Sequence, residues 1–568
     1  MSKPFLNRPV VALSAAASLL LAACGGSDET SSSAPQLAAA TPASLTNCTA
    51  LASSFQFANT TIASSESVAS GTLTHAGQPV AAHCLVRGEM FRRTSTFDAV
   101  SYAIKFEMRM PQAWNGRFYY QGNGGADGVV RTALGYSDPN NGPALVQGFA
   151  VISSDAGHEG QGNLAFGVDP QARLDFGYQA VAKLTPMAKA LIRAGYGKAP
   201  DRSYIGGCSN GGRHTFIAAT RMATEFDGYL IGAPGYRLPL AAIANQFGAQ
   251  RYASVATDPA DLSTGFTAAE RAMVSAKVVA KCDALDGATD GMIQDPTACQ
   301  AAFDFARDVP TCTGARDGTC LSAAQKTAIA PIFSGATDAR GNKFYASFPF
   351  DAGHNAADSP FWEFFAPLFL DSGATAFIWS TPPANPATFN PIAFALTTPI
   401  DSMLAAVSAS NATYTESGLS FMQPVAPTQL GAVKNRGAKV MVYHGVSDPI
   451  FSVNDTITWY EGLKANNGGS ASDFARLYRV PGMSHCGLGP STDQFDMLAP
   501  LVEWVETGKA PESITAQARG AGNPAGVNPD VPSTWSPTRS RPLCPYPTVA
   551  RLKAGATDLE SASSFSCQ

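Results

Sequence analysis

The chain has 568 residues, with 39 Lys+Arg against 44 Asp+Glu for a formal net charge of -5, and it is 45% hydrophobic but only 15% charged. That charged fraction is well below the roughly 25% usual for soluble domains, and apolar content on this scale excludes a wholly disordered protein. A mildly acidic balance without a long basic run leaves no electrostatic footprint for nucleic acid. At about 150 residues per domain, the length admits three or four domains, or one large enzyme domain with an insertion.

Residues 1–24 read as a signal peptide. Lys3 and Arg8 supply a positive start, and the apolar run Val10 to Ala23 is shorter than the ~20 residues of a membrane span. The run ends in Leu21-Ala22-Ala23-Cys24 followed by two glycines, which resembles a bacterial lipobox in which Cys24 carries the lipid. Cleavage after an Ala-x-Ala-like site is the plainer alternative. Residues 25–45, rich in Ser, Ala, Thr and Pro, suit a flexible tether. These features predict an exported protein, periplasmic or an outer-membrane lipoprotein that meets the membrane only through its anchor, and secreted if not lipidated; a monomer is expected.

Beyond Cys24, ten cysteines remain: Cys48, Cys84, Cys208, Cys282, Cys299, Cys312, Cys320, Cys486, Cys544 and Cys567. An even number in an exported chain implies up to five disulfides, whose connectivity the spacing alone leaves open. None forms a Cys-x-x-Cys pair, which argues against metal binding by these thiols.

In chain order, strands are expected over Ser101 to Arg109, Arg117 to Gln121 and Gly148 to Ser153. A helix is expected near Ala180 to Ala194, then a short strand Ser203 to Gly206 and a helix Gly212 to Thr224. Ala438 to Tyr443 and Phe474 to Val480 are apolar strand candidates. This alternation indicates an α/β fold with a parallel sheet. Residues 236–432 change texture, with abundant Ala, Pro and Phe and four of the cysteines, and read as an inserted lid. The catalytic domain is then 46–235 with 433–568.

Gly207-Cys208-Ser209-Asn210-Gly211 matches the G-x-S-x-G elbow, directly after a short strand and directly before a helix. The helix N-terminus there aims amides and a positive dipole at a developing oxyanion. A serine nucleophile needs a base and the base an orienting carboxylate, which follow on this fold in the order Ser, Asp, His. Asp448 follows the strand 438–443, and His485 follows the strand ending at Val480, so each stands on a loop at a strand end. Cys208 precedes the serine and Cys486 follows the histidine. If Ser209 and His485 come within hydrogen-bond reach, these cysteines can approach the ~5.5 Å Cα separation of a disulfide.

Together, Gly207-Cys208-Ser209-Asn210-Gly211-Gly212, His444-Gly445-x-Ser447-Asp448 and Pro481-Gly482-Met483-Ser484-His485-Cys486 resemble the catalytic motifs of the tannase/feruloyl esterase family. The resemblance spans about Cys48 to Cys567. It implies an α/β-hydrolase fold with a large inserted lid, a Ser209–His485–Asp448 triad, and the pairs Cys48–Cys84, Cys208–Cys486, Cys282–Cys299, Cys312–Cys320 and Cys544–Cys567. One oxyanion donor would be the Asn210 amide. The other would come from the loop Gln121 to Gly125, Gly124 first and Gly125 next.

The stretch Asp283 to Met292 holds three carboxylates and two glycines. Its spacing departs from an EF-hand, and by itself it also reads as a solvated acidic turn. The resemblance implies a structural Ca2+ site in the lid, held by the side chains of Asp283, Asp286 and Asp290 and the carbonyls of Ala288 and Met292. One branch of the family, acting on terephthalate monoesters, grips the substrate carboxylate with a lid arginine. Here no arginine stands between Arg340 and Arg436, and Lys343 is the one lysine before Lys434. The lid instead offers Phe361, Trp362, Phe364, Phe365 and Phe377, either as pocket or as lid core. Trp362, Phe377 and His444 are the expected substrate contacts, His444 having the alternative of supporting the Asp448 loop.

These readings converge on a serine carboxylesterase for small aromatic acid esters of hydroxycinnamate, gallate or terephthalate-monoester type. A strict terephthalate-monoester hydrolase, a non-catalytic aromatic-binding lipoprotein and a serine peptidase are the alternatives.

Overall fold

The computed structural model describes residues 35–135 and 142–568. Cys24 and the expected signal peptide lie outside these residues. Nine strands form the central sheet: β1 (Thr60–Val68), β2 (His83–Thr94), β3 (Ser101–Pro111), β4 (Arg117–Gln121), β5 (Ala150–Ser154), β6 (Arg202–Cys208), β7 (Gly228–Gly232), β8 (Lys439–Gly445) and β9 (Ala475–Val480). Their spatial order is β9-β8-β7-β6-β4-β5-β3-β2-β1. From β9 to β5 every neighbouring pair is parallel, and from β5 to β1 every pair is antiparallel.

The parallel half sits between two apolar layers, which is why β7 and β8 are buried at every position and read as continuous apolar runs. Alternate residues feed opposite cores. Ile205, Val440 and Val442 join one cluster, while Tyr204, Met441 and Tyr443 join the other. Each such fully buried side chain contributes about 1.5–3 kcal/mol over its exposed state. The antiparallel strand β1 escapes the sequence pattern because it is a polar, half-exposed edge.

Helix α1 (Ala180–Tyr196) precedes β6, and α2 (Asn210–Arg221) leaves it after a single residue. Residues 233–438 interrupt the sheet between β7 and β8 and carry the lid helices, among them α3 (Leu238–Ala253) and α4 (Ala268–Cys282). The lid does not separate from the sheet: Pro35–Gln568 forms one compact unit. Of the expected tether, residues from Gln36 onward are fastened to that unit rather than hanging free. Ala43–Ser44 pairs with Ala113–Trp114, and the Ala40 amide donates to Glu506.

Five disulfides are formed, Cys48–Cys84, Cys208–Cys486, Cys282–Cys299, Cys312–Cys320 and Cys544–Cys567. Among the described residues no single helix is long and apolar enough to cross a membrane.

Candidate active site

Ser209 is the one residue between β6 and α2, and its backbone takes φ 65° and ψ -126°, a strained conformation for a non-glycine residue. The turn closes because its neighbours lack side chains. A Cβ on Gly207 or Gly211 would collide with the carbonyl oxygen of Gly122 in the loop after β4. The same close approach brings that loop against the nucleophile, with Gly124 beside Ser209.

Asp448 and His485 stand on the loops that follow β8 and β9, at the same sheet edge as Ser209. His485 Nε2 lies 2.8 Å from Ser209 Oγ, and Nδ1 lies 2.8 Å from Asp448 Oδ2. A carboxylate can only accept, so Nδ1 carries the proton and Nε2 is left to receive one from the serine. The other Asp448 oxygen accepts the amides of Ile450 and Phe451, both at 3.0 Å. Burial pushes the Asp448 carboxyl upward, but its electrostatic pairing with His485 and the hydrogen bonds from His444 and His485 outweigh it, holding the group well below the usual carboxylate range.

The disulfide Cys208–Cys486 ties the serine turn to the His485 loop, with a Cα separation of 6.1 Å across 278 residues of sequence. A second tie comes from the lid and had no sequence signal. Fully buried Asp351 accepts the Ser447 hydroxyl and the Gly482 amide through one oxygen, each at 2.8 Å, joining the Asp448 loop to the His485 loop. Gly353 donates to the same Ser447 hydroxyl at 2.9 Å.

Asn210 opens α2, so its amide has no intrahelical acceptor. Its side chain donates to Asp127 at 2.8 Å and accepts from Arg213 at 2.7 Å, and Asp127 also meets His214 at 2.8 Å. This buried network braces the elbow against the Gly122 to Gly125 loop. Sequence reasoning passed over it, although Arg213 and His214 directly follow the elbow glycines.

Ser209, Asn210 and Gly125 open onto a cavity walled by lid residues, Leu238 among them, and by Phe176 and Phe451. Trp362 lines it, stacks edge-on against His485 at 4.8 Å between ring centroids, and donates its indole N–H to Asp358 at 3.0 Å. Two expected substrate contacts are corrected. Phe377 is 8% exposed, packs on Phe389 and does not line the cavity, whose wall takes Ile378 and Trp379 instead. His444 is fully buried behind the Asp448 loop, where Nδ1 meets Thr456 and Nε2 lies 2.9 Å from the Phe451 carbonyl and 3.3 Å from Asp448.

The acidic loop after α4 is bent by Gly287 and Gly291, both at positive φ. Asp283 accepts the Asp290 and Gly291 amides, Asp286 those of Ala288 and Gln294, and Asp290 that of Met292. Asp290 also pairs with Arg541. Among the described residues no three acidic, His or Cys side chains are gathered at one point to hold a metal ion. The donor set, all oxygen with two backbone carbonyls, has the chemistry a hard cation requires.

Residues 84–568 match the family model described as tannase and feruloyl esterase. The chain is 37% identical over 525 residues to mono(2-hydroxyethyl) terephthalate hydrolase of Piscinibacter sakaiensis, a match covering 85% of this chain and 84% of that protein. It resembles the crystal structure of an esterase from Aspergillus oryzae, with a TM-score of 0.73 at 21% identity over 92% of this chain and 99% of that one. It also resembles feruloyl esterase B from the same fungus, with a TM-score of 0.71 at 23% identity over 90% and 98%. At such identities the structural likeness establishes the fold, an α/β-hydrolase with a lid.

Proposed function

The chain belongs to the tannase and feruloyl esterase family and is a carboxylic ester hydrolase, and on that premise we propose that it cleaves esters of aromatic acids by Ser209–His485–Asp448 catalysis through an acyl-enzyme. His485 Nε2 takes the Ser209 proton as Oγ attacks the ester carbonyl, and Asp448 holds the imidazole and offsets its charge. The amides of Asn210 and of Gly124 or Gly125 receive the oxyanion. His485 then returns the proton to the leaving alcohol. Water, activated by the same nitrogen, releases the acid and restores the serine. The apolar cavity at Ser209, with Trp362 beside His485, supports an aromatic acyl group. The absence of any arginine between Arg340 and Arg436 argues for an uncharged or phenolic ring over a carboxylate-bearing one.

Five disulfides support export, and the lipobox-like Cys24 supports attachment to a membrane by lipid. Ca2+ is proposed for the Asp283 to Met292 loop, with Asp283, Asp286 and Asp290 and the carbonyls of Ala288 and Met292 as its ligands. There it would hold the lid loop and take no part in the chemistry.

The observation that carries the catalytic reading is the unbroken hydrogen-bond chain from Ser209 Oγ to Asp448. Ser209→Ala should lower kcat on methyl ferulate by at least about 1,000-fold while the melting curve stays unchanged. Retained activity would refute it.

A further inference from the structure

The cavity at Ser209 is walled by apolar side chains, among them Leu164, Phe176, Leu238, Ile378 and Phe451, yet one carboxyl, Asp371, is built into it. Asp371 is 2% exposed. Among the described residues it forms no ion pair, and its one hydrogen-bond donor is Asn245 of α3, whose Nδ2 meets Oδ2 at 3.1 Å. A carboxyl in such surroundings is costly unless its oxygens are satisfied. Burial pushes it up to about 7, with the Asn245 bond pulling the other way. Oδ1 therefore keeps an unused acceptor position in an apolar cavity that also holds the nucleophile.

We propose that Asp371 is a specificity-determining residue of this pocket, its free oxygen accepting a hydrogen bond from a phenolic hydroxyl on the ring of the bound ester. The proposal rests on the esterase reading and narrows it, from aromatic esters in general to hydroxylated ones. A ring bearing a carboxylate would instead set two acidic groups together, in a cavity wall that takes no arginine to separate them. A site that pairs with a hydroxyl also disfavours the analogue lacking it, since the buried acceptor is then left unmatched.

The test compares methyl 4-hydroxycinnamate with methyl cinnamate on the full chain and on Asp371→Asn. In the variant the amide oxygen can accept from Asn245, which turns an N–H donor toward the ring. The ratio of kcat/KM for the hydroxylated over the unsubstituted ester should fall about tenfold. A structural role would lower both values together, and an unchanged ratio overturns the proposal. If Asp371→Asn does not melt cooperatively, inhibition of the unmodified protein decides. There 4-hydroxycinnamate should bind about tenfold more tightly than cinnamate, and equal binding overturns the proposal. If the unmodified protein cleaves neither ester, the esterase reading fails, while the difference in binding still tests Asp371.

Discussion

Replacing Cys208 and Cys486 together by alanine removes the covalent tie between the serine turn and the histidine loop, and the structure fixes two expected magnitudes. The bond closes a span of 278 residues. In the chain-entropy account, loops of this order restrict the unfolded state by about 5 kcal/mol, and the short Cys282–Cys299 and Cys312–Cys320 loops nested inside change that little. Unfolding entropy near 2.1 cal/mol/K per residue gives roughly 1.1 kcal/mol/K for a protein of this size, so the melting temperature should drop by about 5 °C. The kinetic effect should be larger in proportion. The 2.8 Å contact of Ser209 with His485 then has no covalent support and rests on non-covalent contacts such as those of Asp351 and Asp448, and misplacement of reacting groups by about 1 Å costs on the order of 100-fold. Thermal melts with steady-state kinetics on an aromatic methyl ester are the assay, and alanine at Cys312 and Cys320 is the control. That pair closes only 8 residues away from the site and should cost about 2 °C with kcat unchanged. If the Cys208/Cys486 variant keeps kcat within twofold, the clamp has no catalytic role and the reasoning is wrong.

Asp448→Asn should lower kcat by about 10,000-fold with the fold intact, because an amide no longer secures the proton on His485 Nδ1; a loss below tenfold would remove Asp448 from the triad. Asp351 is pushed up to about 6, chiefly by burial, with Ser447 and Gly482 pulling it down. Its folded pKa thus exceeds the ordinary value of about 4, and the stability it contributes is full below pH 4 and lost as pH rises through about 6. The difference, roughly 3 kcal/mol at most, predicts that the melting temperature of Asp351→Asn gains about 3 °C on the parent between pH 4 and pH 8; parallel pH curves would refute it. For the acidic lid loop, elemental analysis should find about one calcium per chain, and a chelator should lower the melting temperature of the parent but not of Asp286→Ala. A calcium-free protein with an unchanged melt would dismiss the metal.

The parts of the site carried by strand ends were legible in the sequence, because a parallel strand, a Gly-bent turn and a polar residue leave a local pattern. Ser209, Asp448 and His485 each followed an apolar run, and the cysteines flanking the serine and the histidine bore on their proximity. What was hidden arrives over long range. Asp351 and Asp371 come from the lid and have no spacing that predicts a meeting with Ser447 or the Ser209 cavity. His444 and Phe377 show the opposite failure. Polar or aromatic residues beside a motif suggest a pocket, but packing turned both inward. Strand β1 was missed for a simpler reason, since a half-exposed edge does not present a continuous apolar run.

The bond from Asp351 to Ser447 and Gly482 also bears on how this protein can change over time. A lid that merely covered a site could be exchanged between relatives as a cassette, with specificity moving along with it. Here the inserted segment supplies an internal strut to both loops that carry the base and its carboxylate, so lid and catalytic core must vary in concert. A transplanted lid would have to bring an acid at this position and meet a hydroxyl and a free amide beneath it. Substrate range in such a scaffold is more readily altered by single replacements along the cavity wall than by trading whole insertions.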